Sequence, residues 1–501
     1  MSDAKDSKTG SVIDKPPNRT VPRDLPNRMV IGGKRVEALS GGRIETVDPA
    51  TGRAFCDIPA GNSDDVDRAV TDSKRALKGQ WRQITTAQRG RILAKAAALM
   101  RRDSEHLAQI ETLDSGKPLR ESRADVETSA YYFEYYAGIA DKLQGDSIPL
   151  GPDYISFTLL EPVGVTAHIV PWNFPLVTTA RGVAPALSAG NTAVVKPSSE
   201  TSLTAIALAD LLDEAGLPAG VYNVVTGQGR EIGGPLTAHP DVAHVTFTGS
   251  VETGKGVMRS AADHVASVTL ELGGKSPVVV FADADLESAV QGTIKAIYTN
   301  AGQVCSAGSR LIVERSVHAE MVERLVRQVK GLQIGHGLDD PQLGPLVSSQ
   351  QLSNVGAYVD GARKRGIELA TGGKRAEIDG LEGGFFFEPT IFDNVPPNEI
   401  IAQEEIFGPV LVVEVVESPE EAIAVANGTR FGLVAGIYTR DVTRALRFAR
   451  DVDSGQVFIN QFFAGGVATP FGGMKDSGFG REKGLAALTS YYRVKCVTAR
   501  I

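Results

Sequence analysis

The chain has 501 residues, with 52 Lys and Arg against 60 Asp and Glu for a net charge of -8, and 42% hydrophobic, 6% aromatic and 22% charged residues. This composition excludes wholesale disorder and collagen-like repetition, and at ~100 to 200 residues per domain the length predicts two to four domains with cores of their own. Mild acidity, with no Lys/Arg run longer than the three residues 363–365, argues against nucleic acid as a partner. The only cysteines, Cys56, Cys305 and Cys496, are too few and too scattered for a disulfide framework or a zinc site, so no metal is expected and a reducing compartment fits best. No stretch approaches the ~18 consecutive apolar residues of a membrane span. Residues 1–20 have no apolar segment and carry Asp3, Asp6 and Asp14, which reads as the polar, loosely ordered tail of a cytoplasmic protein.

In chain order, residues 87–113 read as one helix, Ala-rich and Pro-free, with Ile92, Ala96 and Leu99 on one face. From Thr166 the texture changes to short β-branched runs alternating with helices. Residues 166–170, 193–195, 222–225 and 242–247 read as strands, 202–215 as a helix closed near Gly216, and a short helix starts at Arg230. This alternation predicts a parallel sheet covered on both faces, with ligand sites in loops beyond the carboxyl ends of its strands, such as residues 171–175 and 248–254. A second α/β stretch follows, with strands at 277–281 and 411–416 and a helix at 287–296. The chain closes with a Gly-rich loop at 464–480 and a β-rich tail at 491–501 suited to a sheet edge.

The strongest nucleophile available is a thiol. Cys56 lies in a strand-like segment and Cys496 in the terminal strand, and both read as small packed hydrophobes. Cys305 instead sits among small residues (NAGQVCSAG, 300–308), which leave room for backbone amides to approach anything bound to sulfur. Attack on a carbonyl also needs donors for the developing oxyanion and a base for any hydrolysis. Asn173, in the doubly proline-braced PWNFP (171–175), offers an amide donor, and Glu271, in ELGGKSP (271–277), a carboxylate beside two glycines. Taken singly, a turn asparagine and a solvated or capping glutamate are the simpler readings.

Taken together, the segments change the balance. PWNFP at 171–175, KPS at 196–198, FTGS at 247–250, ELGGKSP at 271–277, GQVC at 302–305, EEIFGP at 404–409 and PFGG at 470–473 occur in this order over about 300 residues. In them the chain resembles the aldehyde dehydrogenase superfamily of the hydrolytic, NAD(P)-dependent type. The resemblance implies an α/β fold with a Rossmann-like cofactor domain, an α/β catalytic domain and a small β oligomerisation element. It places the cofactor domain at 21–142 and 164–275, the catalytic domain at 276–475 and the oligomerisation element at 143–163 with 476–501, in a homodimer or homotetramer.

It also implies roles. Cys305 attacks a small-molecule aldehyde, Asn173 and the Cys305 amide hold the oxyanion, and Glu271 activates the water that releases the carboxylic acid. Glu482 matches a second carboxylate that passes protons outward in many members, with an exposed surface glutamate as the alternative. For the NAD or NADP cofactor, the resemblance places Lys196 on the adenosine ribose, Gly249 and Ser250 near the pyrophosphate, Glu405 on the nicotinamide ribose, and Trp172 and Phe407 beside it. Phe174 and Arg181 fall in the substrate tunnel. The dinucleotide fingerprint itself is imperfect, because Gly227 and Gly229 are followed by Gly233, one residue late.

Two departures from the family pattern bear on specificity. Ser199 stands where NAD-preferring members commonly carry glutamate, with Glu200 one residue later, so a 2′-phosphate need not meet a carboxylate unless Glu200 swings in. Arg181-Gly182 replaces a common Trp-Lys pair, and a buried arginine needs an anion, either the substrate's carboxylate or an internal acid. Succinic semialdehyde members carry a second arginine where this chain has Thr299, which weakens that assignment. Two rivals stand beside hydrolytic oxidation: a coenzyme A-acylating member, which would generally lack Glu271, and a non-catalytic structural relative, which would not keep Cys305, Glu271 and Asn173.

Overall fold

The computed structural model describes residues 19, 21, 22 and 24–501. The tail expected over residues 1–20 lies outside the described residues apart from Arg19, which donates to Asp339.

Two open sheets carry the molecule. In the larger, five parallel strands run in the spatial order Tyr222–Val224, Thr192–Lys196, Val165–Ile169, Val242–Thr248, Ser267–Glu271, with Met29–Ile31 and Lys34–Val36 antiparallel at one edge and Gly478–Phe479 at the other. Numbered along the chain, the parallel strands lie 3-2-1-4-5, the doubly wound pattern whose strand order reverses between Val165–Ile169 and Val242–Thr248. Their carboxyl ends deliver residues 171–175 and 248–250 to one crevice. Val165, Ala167, Val194, Val195 and Val245 are buried against helices on both faces, which is why these strands read as continuous apolar runs.

The second sheet orders Glu368–Thr371, Thr390–Asp393, Val410–Val416, Arg310–Glu314, Pro277–Val280, Val434–Tyr438 and Gln456–Ile459, all parallel except the first pair. A three-stranded sheet pairs Tyr492–Arg500 with Tyr154–Pro162 along nine residues and adds Ser147–Ile148. Gly478–Phe479 joins the large sheet beside Leu270 and Glu271, so residues 478–479 do not share the three-stranded sheet with the rest of the 476–501 segment. Among the described residues, no helix is long and apolar enough to cross a membrane.

Several local expectations are corrected. The helix expected over 87–113 is two, Thr86–Arg102 and Ser104–Ser115, broken at Asp103. Asp103 favours a helix end over a helix interior, and the apolar period runs on through the break, which hides it in the sequence. The segment 248–254 is a loop only as far as Ser250, which caps the helix Val251–Ala262 by accepting from Thr253 N. The loop 464–480 contains two short strands, Met474–Lys475 and Gly478–Phe479. Cys496 is exposed rather than packed, since its side chain faces outward in an edge strand, and Cys56 is half-buried.

The second sheet contains a buried ion pair that no local pattern announces. Arg310 Nε donates to Glu414 Oε2 at 2.7 Å and Arg310 Nη2 to Val425 O at 2.6 Å, with Arg310 and Glu414 on adjacent strands. Arg310→Met would strand the Glu414 carboxylate, so a loss of about 3–5 kcal/mol is expected from the shift in urea midpoint. A loss below about 1 kcal/mol would show that the pair is replaceable by packing alone.

Candidate active site

Cys305 follows a strained turn. Asn300, Ala301 and Gly302 occupy left-handed backbone in succession, with φ of 48°, 53° and 75°. For the two non-glycine residues this costs about 1–3 kcal/mol each and requires surroundings that hold it. Four hydrogen bonds do so: Asn300 N donates to Glu121 Oε2 at 2.9 Å, Asn300 Nδ2 to Asn173 O at 3.0 Å, Gln303 Nε2 to Asn300 O at 3.0 Å, and Val347 N to Gln303 Oε1 at 2.9 Å. Asn173 is buried at the start of the helix Pro175–Ser188, and its Nδ2 donates to Gln303 O at 2.8 Å. One proton of that amide is committed to this bond and the other remains for an oxyanion. Burial pushes the Cys305 thiol up to about 11, against the Arg181 guanidinium, which favours the thiolate.

Glu271 ends its strand with both carboxyl oxygens buried and without hydrogen-bond partners. Burial lifts it well above the usual carboxylate range, Glu482 lifts it further, and Arg181 opposes both. Such a carboxyl, raised from its ordinary range, is suited to take up and give back a proton. The two glycines after it have a steric reason. A Cβ on Gly273 would lie 2.2 Å from Glu405 Oε2, and one on Gly274 would lie 2.4 Å from Cys305 O. Glu405 accepts from Gly274 N at 3.0 Å, so three distant motifs meet along four residues.

Arg181 is buried and ion-paired with Glu482. Its anion is therefore an internal acid, and the alternative of a surface Glu482 is excluded, since Glu482 is only 2% exposed. Arg181 Nη2 also donates to Thr248 Oγ1 at 3.3 Å, and its guanidinium lies 5.4 Å from the centre of the Phe471 ring. The glycine at 182 is explained by His168, whose Nδ1 would stand 2.6 Å from any Cβ there.

Lys196, Gly249 and Ser250 lie at or just beyond the carboxyl ends of strands of the large sheet, and Glu405 reaches Gly274. Lys196, at a strand's carboxyl end, is buried without an ion-pair partner among the described residues, and burial lowers its pKa. Gly249 N donates to Glu271 O at 3.0 Å, and Ser250 caps a 12-residue helix by accepting from Thr253 N. A lone buried cation and a helix N-terminus at the reversal point of the strands fit a dinucleotide's sugar and pyrophosphate. Ser199 and Glu200 border a cavity of about 220 Å³ shared with Glu45, Gln228 and Ser348. Glu200 does not stand free: its carboxylate accepts from both Ser198 and Ser199 hydroxyls. The Trp172 and Phe407 rings meet edge to face at 5.2 Å.

Sequence reasoning missed the support beneath Phe174. The fully buried Lys117 lies 4.3 Å from the centre of that ring and is held by Asp125 at 2.6 Å and Glu111 at 3.3 Å, while Glu111 accepts from Leu176 N at 3.3 Å. No spacing in the sequence joins residues 111–125 to 174–176 or to 300. Lys275 was likewise overlooked inside its own motif: it is buried with Nζ unpartnered, and burial lowers it to about 7.

A doubly wound sheet whose strand ends approach a thiol, an amide donor and a buried carboxylate is the architecture of a pyridine-nucleotide oxidoreductase. The aldehyde dehydrogenase family model matches residues 36–497, and the chain belongs to that family. It is 44% identical over 473 residues to betaine aldehyde dehydrogenase of Bacillus subtilis, covering 94% of this chain and 96% of that one. It is 45% identical over 471 residues to hydroxyisobutyraldehyde dehydrogenase of Mycolicibacterium austroafricanum, covering 94% and 93%. A crystal structure of betaine aldehyde dehydrogenase from Staphylococcus aureus in complex with NAD+ superposes with a TM-score of 0.93 at 40% identity, covering 95% of each chain. The chain is an aldehyde-oxidising enzyme with NAD or NADP as cofactor.

Proposed function

We propose that Cys305, Asn173 and Glu271 carry out a hydrolytic oxidation of an aldehyde to a carboxylic acid. The observation that carries this reading is the convergence of the three: Asn173 bonded to the backbone two residues before Cys305, and Gly274, three residues after Glu271, packed on the Cys305 carbonyl. The Cys305 sulfur adds to the aldehyde carbon, and the Asn173 amide with the Cys305 N–H receives the oxygen. Bound oxidised nicotinamide supplies acceptance of one hydride, which leaves a thioester on Cys305. Glu271 then takes a proton from water as it attacks, and Glu482 receives that proton from the shared buried site. A base poised beside the thioester favours water over coenzyme A as the acceptor, so turnover of a simple aliphatic aldehyde without coenzyme A tests the reading. A strict requirement for coenzyme A would overturn it.

Lys196, Gly249, Ser250, Glu405, Phe407 and Trp172 hold the cofactor in this account, over a cofactor domain of 21–142 with 164–275. A cytoplasmic homodimer or homotetramer is proposed from the three-stranded sheet, whose Ile155, Phe157, Leu159 and Val494 are exposed.

Cofactor choice follows from Ser199. With Glu200 tied to two serine hydroxyls, its carboxylate is not free to meet a 2′-phosphate there, and Lys196 and Ser199 offer that group donors. NADP is expected to serve at least as well as NAD, and Ser199→Glu to raise the KM for NADP at least about tenfold relative to NAD. A hundredfold wild-type preference for NAD, unchanged by the substitution, would remove the idea.

A further inference from the structure

The cation beside Glu482 has no assigned role. Lys483 is half-buried, forms no ion pair and donates no hydrogen bond among the described residues, and burial, with the Arg181 charge behind it, lowers its pKa to about 8 against the opposing pull of Glu482 and Glu271. Its neighbour Glu482 is already committed to Arg181. The Lys483 ammonium stands over the Phe471 ring at 4.8 Å from its centre, and the next residue, Gly472, packs against Glu271 Oε1. Lys483 also has φ of 62°, a left-handed conformation that a lysine adopts only when its surroundings impose it. The Phe471 contact holds the ammonium next to the place where Gly472 packs on Glu271, and an unpaired, half-buried cation there is poorly solvated and open to an anion.

We propose that the Lys483 ammonium receives a carboxylate at the far end of the substrate, so that the preferred substrates of this enzyme are aldehydes that carry an anionic group. The inference rests on the reading of Cys305, Asn173 and Glu271 as the reacting site. Arg181 does not serve this purpose, because its charge is met by Glu482. A cationic aldehyde is disfavoured for a second reason. A quaternary ammonium group is held by an aromatic face, and the face of Phe471 is already taken by the protein's own ammonium. Lys483 would repel a second positive charge brought to the same ring.

The test compares 4-oxobutanoate and 5-oxopentanoate with their methyl esters, and both with trimethylammonioacetaldehyde, on the full-length enzyme with each nicotinamide cofactor. The free acids are expected to exceed their esters in kcat/KM by about tenfold or more, the scale of one charge-assisted contact. Lys483→Met should bring that ratio close to one, chiefly through KM, and Lys483→Arg should keep it. Lys483→Glu should reverse it and admit the cationic aldehyde. Esters matching or exceeding acids in the wild type would overturn the proposal, and this comparison stands even if a variant fails to fold. A ratio unmoved in folded Lys483→Met would do the same. Oxidation of all probes without charge preference sinks only the role of Lys483, whereas no oxidation of any probe sinks the reading of the site.

Discussion

Cys305→Ala is expected to abolish aldehyde oxidation, lowering kcat by more than about 1,000-fold, as loss of a covalent nucleophile does elsewhere. Cys56→Ala and Cys496→Ala should leave it within about twofold, because neither thiol touches the crevice: one is half-buried in the hairpin strand Arg53–Pro59 and the other is exposed in the edge strand Tyr492–Arg500. Binding of cofactor by the Cys305 variant, measured by fluorescence quenching, should persist, since its proposed contacts come from other loops. Several per cent of activity remaining in Cys305→Ala would remove the covalent route.

Glu271→Gln should separate the two halves of the reaction. The amide keeps the shape of the carboxyl but cannot accept a proton, so the variant should release one equivalent of reduced cofactor per site in a burst and then stall, with steady-state turnover down by at least about 100-fold. In the wild type, burial and Glu482 hold the carboxyl above its ordinary range, so its ionised, basic form grows as pH rises. Deacylation should therefore accelerate as pH rises through the raised Glu271 titration, and the variant should lose that dependence. A variant with wild-type steady turnover would show that another group activates the water.

The parts of this account legible in the sequence are those where chemistry is written in contiguous residues. The alternation of strands and helices announces the doubly wound sheet because strands buried on both faces must be apolar throughout, and the cysteine and glutamate motifs announce their own tight packing through glycines. What is illegible depends on pairing across the chain. Glu121 holds Asn300 from 179 positions away, and Arg310 meets Glu414 across 104. Glu482 is ambiguous in sequence because an isolated glutamate belongs at the surface by default, and only its pairing with Arg181 makes burial tolerable. The break at Asp103 escapes detection because an apolar period continues unchanged across two abutting helices. Lys483 escapes because a lysine belongs at the surface by default, and only its placement over the Phe471 ring sets it apart.

The central claim is that the substrate passes through a covalent bond to Cys305 that Glu271 is needed to break. The most direct measurement is the mass of the Glu271→Gln enzyme, acid-quenched after mixing with an aliphatic aldehyde and oxidised cofactor and then digested. The account predicts an acyl group on the peptide containing Cys305, in an amount equal to the reduced cofactor formed in the burst. Reduced cofactor formed with no acyl group on that peptide, or with the group on the peptides of Cys56 or Cys496, would contradict it.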